Sequence, residues 1–498
     1  EDDSGADANG HTAPTAATIA ANAAVWDQLD FSDQQDFEDA SRGLIASDPD
    51  LKVASADGGR VWNQPSYEFI EGKAPGSVNP SLWRQARLNN IHGLFQVTDG
   101  IYQLRGYDLS NMTIIEGETG WIIVDPLTAQ ETAAAAIDFA RQHLDTRPIV
   151  AMIFTHSHID HFGGVLGILT AEGIRAENIR IIAPAGFMEA ATSENIIAGT
   201  AMGRRAMYMY GKQLARSERG HVDSGLGKSP AFGTFGLLEP TELIDRTPQT
   251  LSIDGIEFVF QYAPESEAPA ELTFYLPHAK AFNGAEVTSH QMHNVYTLRG
   301  ARVRDALRWS NYIDESIDLF GEAEIYLASH HWPIWGNQRI LHFLEQQRDT
   351  YKYLHDQTVR LFNAGMTPGE IAEELELPES LSRSFYNRGY YGTVKHNARA
   401  VYQGYLGWYD GNPANLDPLP PTEAGIRYLD AMGGSAAVLE KANIAFRAAE
   451  YRWVAELLNH LVFAEPGNSE AKALLAAAYD QLGYQAESGP WRDVYLTA

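Results

Sequence analysis

The chain has 498 residues, of which 44% are hydrophobic and 20% charged, a composition typical of a globular protein with two or three domains. Its 65 acidic and 37 basic residues give a net charge of −28, which argues against a nucleic-acid partner because phosphate neutralisation needs a basic face. Cysteine is absent, so disulfides, thiolate nucleophiles and cysteine-ligated metals are excluded. No apolar stretch approaches the roughly 20 residues of a membrane span, so we expect none.

The first residues, EDDSGADANG, do not begin with Met and do not resemble a signal peptide. They fit either a mature end left after signal removal or a trimmed chain. We expect an exported protein, secreted or periplasmic. The Ala-rich pattern of residues 16–46 then predicts helices.

Strand and helix patterns alternate over the next 280 or so residues, which predicts an α/β sandwich up to about His331. A glycine-rich loop at 220–236 predicts a flexible lid. Predicted strands are 101–105, 112–116, 121–124, 149–154, 179–183, 249–253, 257–261, 272–276, 280–283 and 324–328, and predicted helices are 130–144, one starting near Gly163, and 302–319.

Beyond Gly336 helical periodicity replaces the strand patterns. Residues 440–486 resemble one tetratricopeptide-type helix-turn-helix unit, with the turn at Pro466-Gly467-Asn468. A single unit of this kind cannot bury its apolar face alone, which favours a second subunit as its partner, although an all-α accessory domain remains the alternative. We therefore predict a catalytic domain with an N-terminal helical extension over 1–335 and an all-α domain over 336–498.

Metal-ligand residues are concentrated in residues 155–164, which read THSHIDHFGG. His156, His158, Asp160 and His161 directly follow the predicted strand 149–154, and a loop leaving a buried strand can direct such side chains toward two neighbouring points. Imidazoles and carboxylates are ligands that zinc and similar divalent metals accept. A polar loop with chance histidines is the alternative, and the density of ligand types disfavours it.

Further metal-binding side chains follow later predicted strands. Glu265 and Glu267 follow one strand, Glu286 follows another, and His330 and His331 follow a third. Each taken singly is more often a solvated residue than a ligand. Their repeated position at strand ends favours one shared site, but spacing alone does not choose between the two glutamates or between the two adjacent histidines.

The motifs resemble those of a known family. THSHIDHFGG resembles the metallo-β-lactamase superfamily, which implies an αββα sandwich with a binuclear metal site. The stretches DLSNMT, APESEAP, FNGAEV, HNVYTLRGARVRDALRW, SHHWP and YGTVKHNARAVYQGYLGWYDGNP resemble the alkylsulfatases that hydrolyse dodecyl sulfate. The family's usual third domain, a sterol-carrier-like module, does not appear within the 498 residues.

The resemblance implies two zinc ions per chain. One would be held by His156, His158 and Glu267, and the other by Asp160, His161 and His331. Glu286 would bridge them and take part in catalysis.

The sulfate group of the substrate needs planar or amide donors. We expect Asn294 and Arg299 to clamp it, with His396 and Arg399 reaching in from the helical domain. His396 is expected to protonate or hydrogen-bond the leaving sulfate. For Arg399 a structural salt bridge is an equal alternative.

The implied function is hydrolysis of primary or secondary alkyl sulfates to an alcohol and inorganic sulfate, by a homodimer joined through its all-α domain. A rival is another hydrolase on this scaffold: a phosphodiesterase, a lactonase or an aryl sulfatase. A more distant rival is a non-catalytic interaction protein that uses the tetratricopeptide-like unit.

Overall fold

The computed structural model describes residues 5–498, without the side chains of residues 175 and 176, so the first four residues of the predicted domain 1–335 lie outside the described residues. The strands in chain order are β1 (Leu44–Ala46), β2 (Lys52–Ala54), β3 (Arg60–Asn63), β4 (Gly93–Thr98), β5 (Ile101–Arg105), β6 (Met112–Glu116), β7 (Trp121–Val124), β8 (Ile149–Ile153), β9 (Arg180–Pro184), β10 (Glu242–Ile244), β11 (Gln249–Ile253), β12 (Ile256–Tyr262), β13 (Leu272–Leu276), β14 (Ala281–Asn283), β15 (Ile325–Leu327) and β16 (Ile334–Trp335).

The helices in chain order are α1 (Ala16–Ala24), α2 (Gln35–Ser41), α3 (Pro80–Asn89), α4 (Gln130–His143), α5 (Ala171–Glu177), α6 (Phe187–Thr192), α7 (Gly199–Met209), α8 (Ala306–Phe320), α9 (Asn337–Asn363), α10 (Pro368–Glu374), α11 (Glu379–Ser382), α12 (Val394–Leu406), α13 (Pro421–Met432), α14 (Ser435–Arg447), α15 (Tyr451–Ala464), α16 (Ser469–Gln485) and α17 (Gly489–Thr497). No helix within residues 5–498 is both long enough and apolar enough to cross a membrane.

Two sheets form the centre of the molecule. The first has the order β1-β4-β5-β6-β7-β8-β9-β10, with parallel pairing from β7 to β10, and the second has the order β11-β12-β13-β14-β15-β16. In the second sheet β12 and β14 are both antiparallel to β13, and β15 is parallel to β14. The loops that follow β12, β14 and β15 therefore leave the same edge of that sheet.

The sheets stack with helices outside them, which gives four layers. Buried side chains of both sheets meet in one apolar core, represented by Ile153 of β8 and Phe274 of β13. Ala136 of α4 belongs to a second core on the outer face of the first sheet. Trp309 of α8 and Phe343 of α9 belong to a third core on the outer face of the second sheet. This arrangement confirms the predicted αββα sandwich.

Strand prediction was accurate where apolar runs are bounded by turns, because β5, β6, β7, β11 and β13 begin and end at the predicted residues. The helix predicted near Gly163 is wrong. Short 3-10 turns follow the histidine loop instead, and α5 begins only at Ala171. A Cβ at Gly164 would lie 2.1 Å from the carbonyl oxygen of Pro126, so this glycine permits close chain packing rather than starting a helix.

The prediction that residues 220–236 form a flexible lid is wrong for residues 220–229. Residues 220–229 are buried, and the His221 ring bonds Asp493 of α17 at 2.8 Å and the carbonyl oxygen of Lys228 at 2.9 Å. Gly225 has φ +85°, and a Cβ there would lie 2.3 Å from the carbonyl oxygen of Tyr390. Glycine here allows close approach of two chain segments, so this part of the loop is an internal wall.

From α9 onward the described chain is helical, and α13 to α16 pack on one another around an apolar core. Asn468 caps α16 by accepting a hydrogen bond from the Ala471 amide at 3.0 Å, at the turn predicted from Pro466-Gly467-Asn468. The N-terminal extension lies on the same helix, since Thr12 donates to Asp480 at 2.8 Å. The division at residue 335/336 stays a prediction.

Helix α17 attaches the helical region to the sandwich. The guanidinium of Arg492 is fully buried and donates to the carbonyl oxygens of Gly220, Ser77 and Glu218 at 2.9, 2.7 and 2.8 Å. Because these bonds replace water around a buried charge, they hold the C-terminal helix firmly against the loop near Gly220.

Candidate metal centre and its cavity

The histidine loop follows β8 directly and is fixed by the preceding strand β7. Thr155 donates from its amide and its hydroxyl to Asp125 at 2.9 and 2.7 Å. A 3-10 turn over Ile159–His161 then directs neighbouring side chains to different points. As a result the loop contributes buried side chains to two separate groups.

The first group combines this loop with the loop after β12. Oε2 of Glu267 lies 3.4 Å from Nε2 of His156 and 2.9 Å from Nδ1 of His158. All three side chains are buried.

The second group combines the same loop with the loop after β15. Nε2 of His161 lies 3.0 Å from Oδ2 of Asp160 and 3.2 Å from Nε2 of His330. Nε2 of His330 lies 3.4 Å from the same aspartate oxygen.

Glu286, after β14, belongs to both groups. Its Oε2 lies 3.0 Å from Nε2 of His156, 3.1 Å from that of His161 and 3.2 Å from that of His330. Burial alone would raise the pKa of this carboxyl, but the surrounding histidines, with His330 first, outweigh burial and hold it well below its ordinary value. The carboxylate is thus charged and stands between the two groups.

The donors fit a pair of metal ions. In each group the four ligand atoms lie within 4.8 Å of one another. Nε2 of His156, Nε2 of His158 and Oε2 of Glu267 are buried without a well-oriented hydrogen-bond partner among the described residues. Buried polar atoms are normally satisfied, so these point to a missing ligand. Histidine nitrogens and carboxylate oxygens suit zinc and other borderline divalent metals.

Outer hydrogen bonds orient two of the histidines. Nδ1 of His161 lies 2.9 Å from Oδ2 of Asp125, and Nδ1 of His330 lies 3.1 Å from the carbonyl oxygen of Leu109. Such bonds leave Nε2 free to bind a metal. Sequence reasoning missed Asp125, although its position directly after β7, at the same sheet edge, is the signal that identifies it.

The prediction that His331 completes the second group is wrong. Nδ1 of His331 accepts from the His290 amide at 3.1 Å, and its Nε2 lies 2.9 Å from the carbonyl oxygen of Gly225. The backbone of His331 has φ +64°, which turns its side chain away from the one before it. His330 is the residue that belongs to the cluster. The other six expected ligands do come together there.

The choice between the two glutamates follows from burial. Glu265 is exposed and forms an ion pair with Arg308 on the surface. Glu267 is buried, and Arg304, a residue that sequence reasoning missed, donates to its Oε1 at 2.6 Å. Burial would raise the pKa of Glu267, but the guanidinium of Arg304 outweighs it and lowers that pKa well below its ordinary value.

A cavity of about 380 Å³ opens above the cluster. Its floor includes Glu267, Glu286 and His293, whose Nε2 lies 3.0 Å from Oε1 of Glu286. Its wall is mostly apolar and includes Leu109, Ile159, Met202, Ala206, Met207, Leu226, Ala231, Phe232 and Phe235.

Polar donors line one part of the cavity beside the cluster. Arg299 faces Glu194 at 3.3 Å, and the hydroxyls of Tyr210 and Tyr391 lie 2.5 Å apart. Burial lowers the pKa of Arg299, but Glu194 and other neighbours outweigh it and raise that pKa above its ordinary value. Burial raises the pKa of Tyr210 to about 12, so the phenol is protonated at neutral pH and is able to donate a hydrogen bond.

Three expected substrate contacts do not line this cavity, whereas Arg299 does. Oδ1 of Asn294 accepts from Arg304 at 2.7 Å. Arg399 is exposed on α12. His396 is buried, with Nδ1 accepting from the Trp491 indole at 3.3 Å and Nε2 donating to the carbonyl oxygen of Tyr296.

His396 is also unsuited to donate a proton. Burial lowers its pKa to about 4, so the ring is neutral at neutral pH. The structure therefore does not bring His396 or Arg399 to the cavity, because the packing of α12 turns one residue inward and the other outward. Their expected roles toward the sulfate group stay predictions.

Two family models match the chain. Residues 105–330 match the metallo-β-lactamase superfamily, and residues 367–498 match the alkyl sulfatase dimerisation family. Two relatives from Pseudomonas align almost throughout. A linear primary-alkylsulfatase is 51% identical over 486 residues, covering 97% of this chain and 72% of the relative. An (R)-specific secondary-alkylsulfatase is 48% identical over 487 residues, covering 97% and 73%.

A solved structure agrees with these relationships. The stereoselective inverting sec-alkylsulfatase Pisa1 from Pseudomonas superimposes with a TM-score of 0.96 at 47% identity, covering 99% of this chain and 78% of that chain. The chain spans about three quarters of the length of these proteins. It belongs to the alkylsulfatases, sulfuric ester hydrolases built on the metallo-β-lactamase fold.

Proposed function

We propose that this alkylsulfatase cleaves alkyl sulfates at two zinc ions, with Glu286 shared between them. One zinc would be held by His156, His158 and Glu267, and the other by Asp160, His161 and His330. The observation that supports this most strongly is the pair of four-residue groups meeting at Glu286 beneath an apolar cavity. A zinc pair in such a site supplies activation of water near neutral pH.

The polar part of the cavity suits the sulfate group. Arg299 is charged, and its planar guanidinium matches the spread negative charge of a sulfate ester. Tyr210 supplies a neutral donor. Both groups sit in a largely buried pocket, where fixed donors stabilise charge on the departing sulfate better than water would.

The apolar wall suits the alkyl chain. Met202, Met207 and Phe232 lie on the side of the cavity formed by α7 and the loop after residue 230. Methionine adapts its shape to its contacts, so this wall accommodates chains of different length. The substrate class that fits is an anionic head group carrying an unbranched or singly branched alkyl tail.

A substrate panel with metal analysis tests this proposal. We expect turnover of dodecyl sulfate to exceed that of p-nitrophenyl sulfate and of bis-p-nitrophenyl phosphate, and two zinc ions per chain in the active preparation. Faster phosphodiester cleavage, or activity with no more than one metal per chain, contradicts it.

The bond that breaks is a further part of the proposal. Because the sec-alkylsulfatase Pisa1 is described as inverting, we propose that water attacks carbon and that sulfate leaves with the ester oxygen. Hydrolysis of chiral 2-octyl sulfate in ¹⁸O-water then gives inverted 2-octanol that carries the label. Label in sulfate with retained configuration assigns attack to sulfur instead.

We also propose a homodimer joined through the helical region. The match of residues 367–498 to the dimerisation family supports it, as does the exposure of Trp408 and Ile426, at 71% and 56%. Analytical ultracentrifugation tests it: a mass of one 55.0 kDa chain at micromolar concentration contradicts it. Secretion or export to the periplasm stays a prediction.

A further inference from the structure

The stretch of residues 195–217, here called the basic segment, differs in charge from the rest of the protein. It contains Arg204, Arg205, Lys212 and Arg216 and no acidic residue, in a chain whose net charge is −28. Arg204, Arg205 and Lys212 are exposed. The acid just before the segment, Glu194, is buried against Arg299 and so adds little to the surface charge.

The same segment exposes large apolar side chains. Ile196 and Ile197 are 71% and 83% exposed, and Phe235, on a neighbouring loop, is 58% exposed. They adjoin the catalytic cavity, because Asn195 and Met202 of the segment and Phe235 itself line it. Exposed apolar residues scattered singly are ordinary, but here two adjacent isoleucines lie beside a cavity, in a segment that also carries exposed arginines.

Resting on the proposed function, we propose that Ile196, Ile197 and Phe235, with the exposed Arg204 and Arg205, dock on aggregates of the anionic alkyl sulfate, such as micelles. Apolar side chains insert among the tails at the aggregate surface, while basic side chains pair with the sulfate head groups. The cavity opens beside this contact, so a single surfactant molecule enters it without crossing open water. Charge complementarity favours this occupant, because an aggregate of sulfate esters is strongly anionic, the basic segment is locally positive and the protein's net charge of −28 disfavours contact elsewhere on average.

Binding is tested with micelles of dodecanesulfonate, which has no ester oxygen and is not hydrolysed. The double variant I196S/I197S is compared with L319S, which removes a leucine that is 39% exposed on α8. We expect the double variant to bind these micelles at least about tenfold more weakly than wild type, and L319S to bind them as wild type does. R204Q should weaken binding about fivefold at low ionic strength and have little effect at high salt.

Kinetics separates docking from catalysis. Hexyl sulfate well below its aggregation concentration reports on turnover of monomers, and decyl sulfate above its aggregation concentration reports on turnover from micelles. The double variant should keep the hexyl sulfate rate and the rate with monomeric decyl sulfate, and lose the additional decyl sulfate turnover that wild type shows above the aggregation concentration. If wild type hydrolyses neither ester, the proposed function fails, whatever the binding result.

Several outcomes overturn the docking proposal while leaving the function intact. Equal micelle binding by wild type and I196S/I197S does so. Tighter wild-type binding to phosphatidylglycerol vesicles than to dodecanesulfonate micelles reassigns the patch to a membrane. A change of oligomeric state in the double variant reassigns it to contact between two copies of the chain.

Discussion

The histidines at strand ends and the one histidine of helix α12, His396, occupy different environments in this protein. The loops after β8 and β15 bring His156 and His330 into one cluster, because those strands end at the same edge of the sandwich. His396 on α12 is also buried, yet it bonds Tyr296 and Trp491 and does not line the cavity. Sheet topology dictates where strand-end side chains meet, whereas the packing face of a helix dictates where its side chains point.

Substitution of the two adjacent histidines after β15, His330 and His331, should give the largest difference in turnover and tests this rule most directly. His330→Gln should abolish turnover and lower the metal content, because its imidazole belongs to the cluster. His331→Gln should keep turnover, since a glutamine can replace the bonds to His290 and Gly225. Steady-state kinetics with elemental analysis checks both variants. If His331→Gln loses metal and His330→Gln does not, the prediction that His331 is the ligand is correct.

The next largest effect on turnover is expected at Arg304, which bonds to Glu267. Arg304→Lys removes the planar contact to that carboxylate, and we expect turnover to fall by about 10- to 100-fold, as is typical for residues that orient metal ligands. Arg308→Lys is the matched control, because the same pair of residue types meets at Glu265 on the surface. Exposed pairs contribute little, so this control should retain wild-type turnover. Equal effects of the two variants contradict the assigned role of Arg304.

Asp125 directly follows β7, so it is a further side chain at a strand end that contacts the cluster. Asp125→Asn keeps the shape of the side chain but weakens its bond to Nδ1 of His161, so metal affinity should fall by about tenfold. Competition with a chromophoric chelator measures the affinity. Unchanged affinity together with unchanged turnover would mean that Asp125 supports only Thr155 and Ser329, to which it is also bonded.

The smallest effect on turnover is expected at His396, whose low pKa bears on stability instead. The folded pKa, about 4, lies below the ordinary 6.5, so the stability that depends on the neutral ring is complete above about pH 6.5 and declines as pH falls toward 4. His396→Gln lacks this titration, and its melting temperature should drop less than that of wild type between about pH 7 and pH 5. Between pH 7 and pH 5, wild type should lose on the order of 1 to 3 kcal/mol more unfolding free energy than the variant does. If the pH profile of kcat differs between wild type and His396→Gln, His396 takes part in catalysis after all.

The sequence allowed most of the sandwich and most of the metal centre to be predicted, because both depend on short-range patterns. Apolar runs bounded by turns locate strands such as β6, and ligands directly after strands locate Asp160 and Glu286. The choice of His330 depends on one left-handed residue. The placement of Asn294 depends on its bond with Arg304, and that of Arg399 on which face of α12 packs inward. Those features arise from tertiary packing, which local patterns do not encode.

Arg492 has a consequence for how the protein unfolds. Its guanidinium joins the last helix to segments near Ser77 and Gly220, and neighbouring Asp493 joins that helix to His221. If the helical region melted alone, the Arg492 cation would lose its hydrogen-bond acceptors and three carbonyl groups would lose their donor. The two regions are thus thermodynamically linked, and heating should produce one cooperative transition with matching calorimetric and van't Hoff enthalpies rather than two separate steps.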